Sequence, residues 1–323
     1  MRELIATSGN GSFKHSELPL LQTLWDSTSL GTLKECPMKY FLQIICGLQS
    51  KAPKDALVFG IAFHKAMQIY HYRRAAGAKH DDALEGALNA GIQEFRDPEG
   101  NLYLAQKKDR NFYSLCRAIV WHLDHFNDQG FKDDPARTVI LDNGKPAAEL
   151  SFRFYFVTLD GIDFFLCGHF DHLVEFNGQN FVKDYKTSSS LGQNFFDQFF
   201  PDNQMSLYIL GGQVVYKKRI AGAIVDGVQC AVHFNRFQRG FIQMPQESIN
   251  EFAEDTEMWI RIAKVYAETG HYPKNEKSCD KYGGCPYREI CRSPDSMRLN
   301  LIKSHYVTKI WDPSIDREEE HTA

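Results

Sequence analysis

The sequence predicts a mixed α/β (α+β) chain with helices flanking a central mixed sheet, and three observations carry that expectation. Helical periodicity fills residues 57–130, period-two alternation broken by tight-turn signals takes over across 147–245, and a long amphipathic stretch begins at Gln246. At 323 residues and 43% hydrophobic, the chain has the apolar content for a sizeable core. A net charge of -4 supplies no global attraction to nucleic acid. Any such contact would rest on local patches such as Lys107, Lys108 and Arg110, or Lys217, Lys218 and Arg219. No run of eighteen apolar residues exists, and the opening MRELIATSGNGSF lacks the basic-then-apolar order of a secretory signal. A soluble, cytoplasmic protein without a membrane partner is expected. Eight cysteines in such a chain argue against a disulfide framework and leave room for a metal or cluster site.

Residues 1–24 are an aperiodic lead-in rich in Gly, Ser and Asn. From Ser27 to Leu48 the pattern predicts a capped helix, a break at Cys36-Pro37, and a short second helix with Tyr40, Phe41, Ile44 and Ile45 inward. Leu57 to Ala76 reads as a helix on which Gly60 and His64, four apart, share a face. Asp82 to Phe95 and Asn111 to Asn127 are further amphipathic helices, whose His122 and His125 read as structural. Ala147 to Thr158 alternates strongly, and Asp160-Gly161 turns it into Ile162, so the sheet begins as an antiparallel meander of about four strands. Glu149 at its entry reads as an exposed strand-end residue, with an extra carboxylate of the acidic cluster as the alternative.

The second turn, Asn177-Gly178, is the strongest short-range hairpin signal, because both central residues need positive φ. Counting back from it pairs Phe176 with Gln179, Leu173 with Val182 and Asp171 with Asp184, and puts Lys186 on the face of Asp184. Two aspartates facing across a ladder repel unless a positive charge lies between them. A divalent cation such as Mg²⁺ or Mn²⁺ would supply it, with Lys186 able to hold a water or offset a developing negative charge. A solvated hairpin face is the plainer alternative. The loop after Lys186 is Ser-rich and then aromatic, so Phe195, Phe196, Phe199 or Phe200 would either pack as core or stack on single-stranded bases. Gln204 and Tyr208 share a face of the following helix. Ile224 to Phe234 and Gly240 to Gln243 are expected strands, and Gln246 to Thr269 a long helix.

Gly168-His169-Phe170-Asp171, Asp184-Tyr185-Lys186 and Gln204-Met205-Ser206-Leu207-Tyr208 resemble the G-x-x-D, D/E-x-K and Q-x-x-x-Y motifs of the RecB-like branch of PD-(D/E)XK nucleases. Upstream, Gly60 to His64 resembles that branch's G-x-x-x-H helix motif. The resemblance spans roughly residues 25 to 295 and implies a restriction-endonuclease-like sheet. By it Asp171, Asp184, the backbone carbonyl of Tyr185 and His64 would hold the metal, and Lys186 would assist the nucleophilic water. Gln204 and Tyr208 would face the DNA or the site.

Residues 279–291 read CDKYGGCPYREIC, so Cys279, Cys285 and Cys291 repeat with five residues between each. A four-thiolate site needs one more, and Cys36 is the candidate, since Cys-Pro before an aromatic run resembles the N-terminal cluster ligand of iron-sulfur members of the branch. Those members, the CRISPR-associated and AddB-type nucleases among them, carry one distant N-terminal cysteine and three C-terminal ones around a 4Fe-4S cluster. The first gap here is longer than their usual C-x-x-C spacing. Zinc, or three unrelated thiols, are the alternatives. A cluster would clamp the N- and C-terminal segments together. The resemblance thus implies a divalent-metal-dependent deoxyribonuclease, an exonuclease acting on DNA ends or single strands. The alternative is a poorly cutting DNA-binding or assembly module of a recombination, repair or CRISPR adaptation complex. A single nuclease domain is expected over 25–296, comprising a helical part (57–130), a sheet core (147–245) and a C-terminal helix with the cysteines (246–296), followed by a tail (297–323).

Overall fold

The computed structural model describes residues 5–6, 13–14, 21–51, 54–97, 99–127, 134–192, 194–281 and 284–313. Most of the expected N-terminal lead-in and the last ten residues of the expected tail lie outside the described residues. In chain order the elements are β1 (Ile5–Ala6), β2 (Phe13–Lys14), β3 (Leu24–Trp25), α1 (Ser27–Glu35), α2 (Pro37–Tyr40), β4 (Leu48–Ser50), α3 (Asp55–Ala75), α4 (His80–Glu94) and α5 (Phe112–Asn127). Then come β5 (Arg137–Thr138), β6 (Ala148–Leu159), β7 (Ile162–Phe176), β8 (Gln179–Ser188), α6 (Asn203–Tyr216), β9 (Ile220–Cys230), β10 (Asn235–Gln243), α7 (Gln246–Thr269), α8 (Arg288–Arg292), α9 (Asp295–His305) and β11 (Tyr306–Thr308). The fold is a mixed α/β architecture, a central mixed sheet flanked by helices. No helix among the described residues is long and apolar enough to cross a membrane.

The chain divides into two compact units. One gathers residues 1–52, 153–168 and 250–315. Asp26 caps α1 by accepting from the Ser29 amide at 2.9 Å. The break expected at Cys36-Pro37 is present: Cys36 is extended (φ -162°, ψ 114°), and Pro37 opens α2 at the position where its missing N–H costs nothing. Tyr40 stacks on Trp25 with ring centroids 5.5 Å apart, and Phe41 on Tyr272 at 4.8 Å. β3 runs parallel to the start of β7, and β11 pairs antiparallel with β4. α9 and β11 thus occupy part of the stretch where only a tail was expected.

The other unit gathers the described residues of 53–152 and 169–249 and holds His64, Asp171, Asp184, Lys186, Gln204 and Tyr208 of the nuclease-like motifs. Its strands run in the order β10-β9-β8-β7, with β5 and β6 also pairing β7. The turn at Asn177-Gly178 has φ of 49° and 75°, and the one at Asp160-Gly161 has 50° and 78°, the left-handed values that selected these residues. β7 pairs antiparallel with β8, but α6 carries the chain across so that β9 runs parallel to β8. The expected meander therefore ends at β8, and a crossover helix makes the sheet mixed. The strand expected over 224–234 occupies 220–230, and the one expected over 240–243 starts at Asn235.

On one face α3, α4 and α5 bury Phe59, Phe63, Met67, Tyr70, Leu115, Ile119 and Leu123 against Tyr185 of β8 and Val228 of β9. α6 covers the other face, where Tyr208 meets Phe152 and Phe170 edge-on. Glu149, expected to be exposed, is only 5% exposed and sits at φ 50° where β6 begins. Its neighbours Ala147, Ala148 and Leu150 are buried too, so the strand enters the core earlier than its end-of-pattern position suggested.

Candidate active site

Strand β8 supplies Asp184, Tyr185 and Lys186 from three consecutive positions. Alternation sends Asp184 and Lys186 to the α6 face, and the Lys186 Nζ lies 2.7 Å from Asp184 Oδ2. Gln204 ties the two together: its Oε1 accepts from Lys186 at 2.7 Å, and its Nε2 lies 3.3 Å from Asp184 Oδ1 and 2.9 Å from the Tyr208 hydroxyl. Its position follows from local capping, because the Asp202 carboxylate accepts the Gln204 and Met205 amides at 2.9 Å and so starts α6 one residue before it.

The counted register holds from Phe176–Gln179 through Leu173–Val182 to His172–Lys183, where regular pairing stops. Asp171 and Asp184 are therefore not a laddered pair, as the count had placed them. Asp171 instead turns its side chain into the gap, and its Oδ2 accepts the backbone N–H of Tyr185 at 3.1 Å. The same oxygen lies 3.0 Å from Nδ1 of His64, which α3 brings down from the far side. The ladder ends where the carboxylates begin.

Charge follows this geometry. Burial pushes the His64 imidazole toward neutrality, but Asp171 outweighs it and lifts the pKa to about 9. Burial raises Asp171, and His64 overrides that, drawing it down to about 2. Asp184 ends raised: burial dominates, Lys186 offsets part of it, and the Asp171 charge adds to it. Lys186 ends raised because Asp184 more than compensates for burial, so it is an ammonium at neutral pH, a donor and not a proton acceptor.

Asp184 is 1% exposed, and its Oδ2 accepts no well-directed hydrogen bond, although the Lys186 nitrogen is near. A buried carboxylate oxygen left short of donors, beside a second carboxylate, suits a hard divalent cation. Among the described residues no three His, Cys, Asp or Glu side chains stand ready to share one ion. In the carboxylate site, His64 and Lys186 hold the oxygens an ion would take.

The other expected groups fall out unevenly. Phe199 is buried, and Phe195 and Phe196 cover Gly227 and Gly240, where an added Cβ would run into their rings. Of that loop's aromatics Phe200 alone is largely exposed, at 44%. Lys107 and Lys108 are exposed, but Arg110 is not part of a basic patch. It is buried, donates to the Cys230 carbonyl at 3.2 Å and lies over Phe59. In the other unit, Cys36 Sγ accepts the Asn275 amide at 3.3 Å and Cys279 accepts the Cys285 amide through its carbonyl at 2.9 Å. Burial raises the Cys291 thiol to about 11, and Cys285, Cys36 and Cys279 each push it in the same direction. The four cysteines belong to one unit, but no three of their thiols stand ready to share one ion.

Sequence reading missed a second charged layer on the α3 side of β8. Lys183 reaches Asp226 at 3.0 Å and Asp134 at 3.2 Å, and Arg239 grips both aspartates at 2.6 to 2.9 Å. His71 Nε2 lies 2.8 Å from the Tyr185 hydroxyl. A lone aspartate inside the apolar strand IAGAIVDGVQC was the available signal, since a buried carboxylate demands a partner.

No curated protein matches this sequence. Two crystal structures share features with it: a "Putative exonuclease" from Eubacterium rectale, at 11% identity over 80% of this chain and 86% of that one with a TM-score of 0.46, and SSO0001, at 15% identity over 73% and 94% with a TM-score of 0.32. The family model described as PD-(D/E)XK nuclease superfamily matches residues 27–292, which include the helix of His64 and the strands of Asp171, Asp184 and Lys186. The chain belongs to the PD-(D/E)XK nuclease superfamily.

Proposed function

We propose that this nuclease is a divalent-metal-dependent deoxyribonuclease of the RecB-like type, acting on DNA ends or single strands as an exonuclease. The observation that carries the reading is Asp184: a buried carboxylate with a raised pKa and an under-satisfied oxygen, next to Asp171 and 2.7 Å from an ammonium. Such a group destabilises a metal-free protein, and a bound cation would relieve that cost. Asp171, Asp184, His64 and the Tyr185 carbonyl would hold Mg²⁺ or Mn²⁺, which when bound polarises the phosphate and acidifies the attacking water.

The chain's own part is positioning and charge. Lys186, fixed between Asp184 and Gln204, donates a hydrogen bond toward the water or the non-bridging oxygen and offsets charge as the P–O bond forms. Gln204 and Tyr208 hold that ammonium in place from α6. His64 would have to be neutral to serve as a ligand, because only neutral imidazole coordinates, so metal binding would release its proton. A 4Fe-4S cluster on Cys36, Cys279, Cys285 and Cys291 in the other unit belongs to the same reading on the resemblance of their spacing alone, since no three of these thiols stand ready to share one ion. Zinc on the same thiolates is the alternative, and iron and acid-labile sulfide in the anaerobic protein separate the two.

The test is Mn²⁺-dependent digestion of end-labelled single- and double-stranded DNA by anaerobically purified protein, with Asp184→Ala alongside. Cutting by the wild type alone is expected, as a ladder growing from one end. Equal cutting by both would sink the site, and products from internal cleavage of circular DNA would sink the exonuclease reading.

A further inference from the structure

α3 carries His64 to Asp171, and the face that does so does not stop at the site. A helix advances 100° per residue, so Leu57, seven residues before His64, lies within about 20° of it around the axis, and Ile61 within about 60°. Both belong to a helix whose Phe59, Ala62, Phe63 and Ala66 are fully buried, yet Leu57 is 59% and Ile61 48% exposed. Between them sits Gly60, and a Cβ there would lie 3.8 Å from Oγ1 of Thr187, the residue after Lys186. At the far end of the same helix the Asp55 carboxylate accepts the backbone N–H of Lys107 at 2.8 Å and the Tyr103 hydroxyl at 2.9 Å. That fastens the segment bearing exposed Lys107 and Lys108 beside the start of α3. The order along the helix is therefore metal-type site, two exposed aliphatic side chains, then two exposed cations, over about 13 Å, the length of roughly four stacked nucleotides.

Resting on the nuclease reading above, we propose that this face of α3 is the track for single-stranded DNA. With one phosphate at Asp171 and Asp184, the adjacent unpaired bases lie on Ile61 and Leu57, and the phosphates beyond reach Lys107 and Lys108. The succession of apolar and then cationic groups offers surfaces for both chemistries of a strand whose bases are free, and continuity with His64 fixes where the strand must start. A duplex keeps its bases stacked inside and presents no apolar surface to Leu57 or Ile61.

Binding of labelled dT20, of the same strand with abasic sites throughout, and of a blunt 20-base-pair duplex is read by fluorescence anisotropy without divalent ion. The probes are wild type, Leu57→Ser with Ile61→Ser, and Lys107→Glu with Lys108→Glu, all at exposed positions that spare the fold. The aliphatic pair should weaken binding of dT20 about tenfold and leave the abasic strand unchanged. The lysine pair should weaken both strands alike and flatten the slope of log K against log salt by about 1.4, two phosphates' worth. Unchanged dT20 affinity in the aliphatic pair, an equal loss on both strands, or a wild type that prefers the duplex would overturn the track. Mn²⁺-dependent cutting by the same preparations separates the two readings. Wild-type cutting with unaltered variant affinities refutes the track alone, whereas a wild type that neither binds nor cuts refutes the nuclease reading and the track with it.

Discussion

Neighbouring residues of β8 belong to two charge systems that solve burial in opposite ways. On the α3 side, Lys183 and Arg239 face Asp134 and Asp226, two cations for two carboxylates, every oxygen within 2.6 to 3.2 Å of a donor. Burial alone would raise Asp226, but Lys183 and Arg239 bring it below the usual carboxylate range, so its charged form belongs to the folded state. The histidines packed around it are kept neutral, His122 down to about 3 chiefly by burial. On the α6 side, one residue along, Asp184 is as deeply buried and its pKa moves up instead. Both are buried acids on one sheet. The balanced one, where the cations outweigh burial, builds the sheet, and the unbalanced one, where burial still outweighs its ammonium, is available to a ligand.

The largest effect expected from this contrast is on the balanced side. Asp226→Ala leaves Lys183 and Arg239 sharing one carboxylate in the interior, and breaking such a network costs about 3–5 kcal/mol. Urea denaturation monitored by circular dichroism measures it, and a loss under about 1 kcal/mol would show that the network is not structural. Asp184→Asn should go the other way in the metal-free protein. A carboxylate whose folded pKa is raised disfavours folding at neutral pH, so removing its charge should hold stability within about 1 kcal/mol of wild type or improve it. Mn²⁺-dependent cutting should meanwhile fall at least a hundredfold. A loss as large as that of Asp226→Ala would erase the distinction between the two sides.

The pair at the end of the ladder sharpens the comparison through pH. The His64 pKa is raised from 6.5 to about 9, so its contribution to metal-free stability is complete below pH 6.5 and disappears as pH climbs through 9. Asp171 is lowered from 3.8 to about 2, so its contribution is present above pH 3.8 and disappears as pH falls through 2. Thermal melts of metal-free protein should therefore decline between pH 6.5 and 9, and His64→Gln should remove that part of the decline. An identical alkaline profile in His64→Gln would show that the imidazole is not charged against Asp171. By the same linkage, Mn²⁺ binding at about pH 7.5 should release a proton, which titration calorimetry in buffers of different ionisation enthalpy detects.

What the sequence made legible follows from which forces are local. The turns at Asp160-Gly161 and Asn177-Gly178 need positive φ, few residues tolerate it, and the strand register counted from Asn177-Gly178 was right as far as His172 and Lys183. Helix α7 was placed residue for residue, because its 3.6-residue pattern runs 24 residues without a break. The end of the ladder at Asp171 was not legible, since it depends on a side chain capturing the Tyr185 amide, a choice made in three dimensions. Nor was the α3-side network. Asp134, Lys183, Asp226 and Arg239 lie on separate segments, and only the packed sheet shows that four ordinary charged residues neutralise one another. Glu149 failed for a related reason, because strand-end position predicts exposure only where nothing packs over the end.

The smallest effect concerns Gln204, which touches both members of the unbalanced pair and carries no charge. Gln204→Ala removes the acceptor of the Lys186 ammonium and the amide beside Asp184 at a half-buried site, so stability should drop by only about 1 kcal/mol. Its diagnostic effect is on rate. If Lys186 acts by position, freeing it should lower kcat severalfold while KM for DNA stays put, because the ammonium remains charged but no longer points one way. Gln204→Glu sets a third carboxylate against Asp184 and should raise the affinity for Mn²⁺ while slowing turnover, since Lys186 would then pair with the added carboxylate in preference to the reacting phosphate. A KM increase with unchanged kcat in Gln204→Ala would instead assign the residue to strand binding. The α6 side would then hold the DNA as well as the charge, and the division between a building face and a reacting face would need to be drawn through α6 itself.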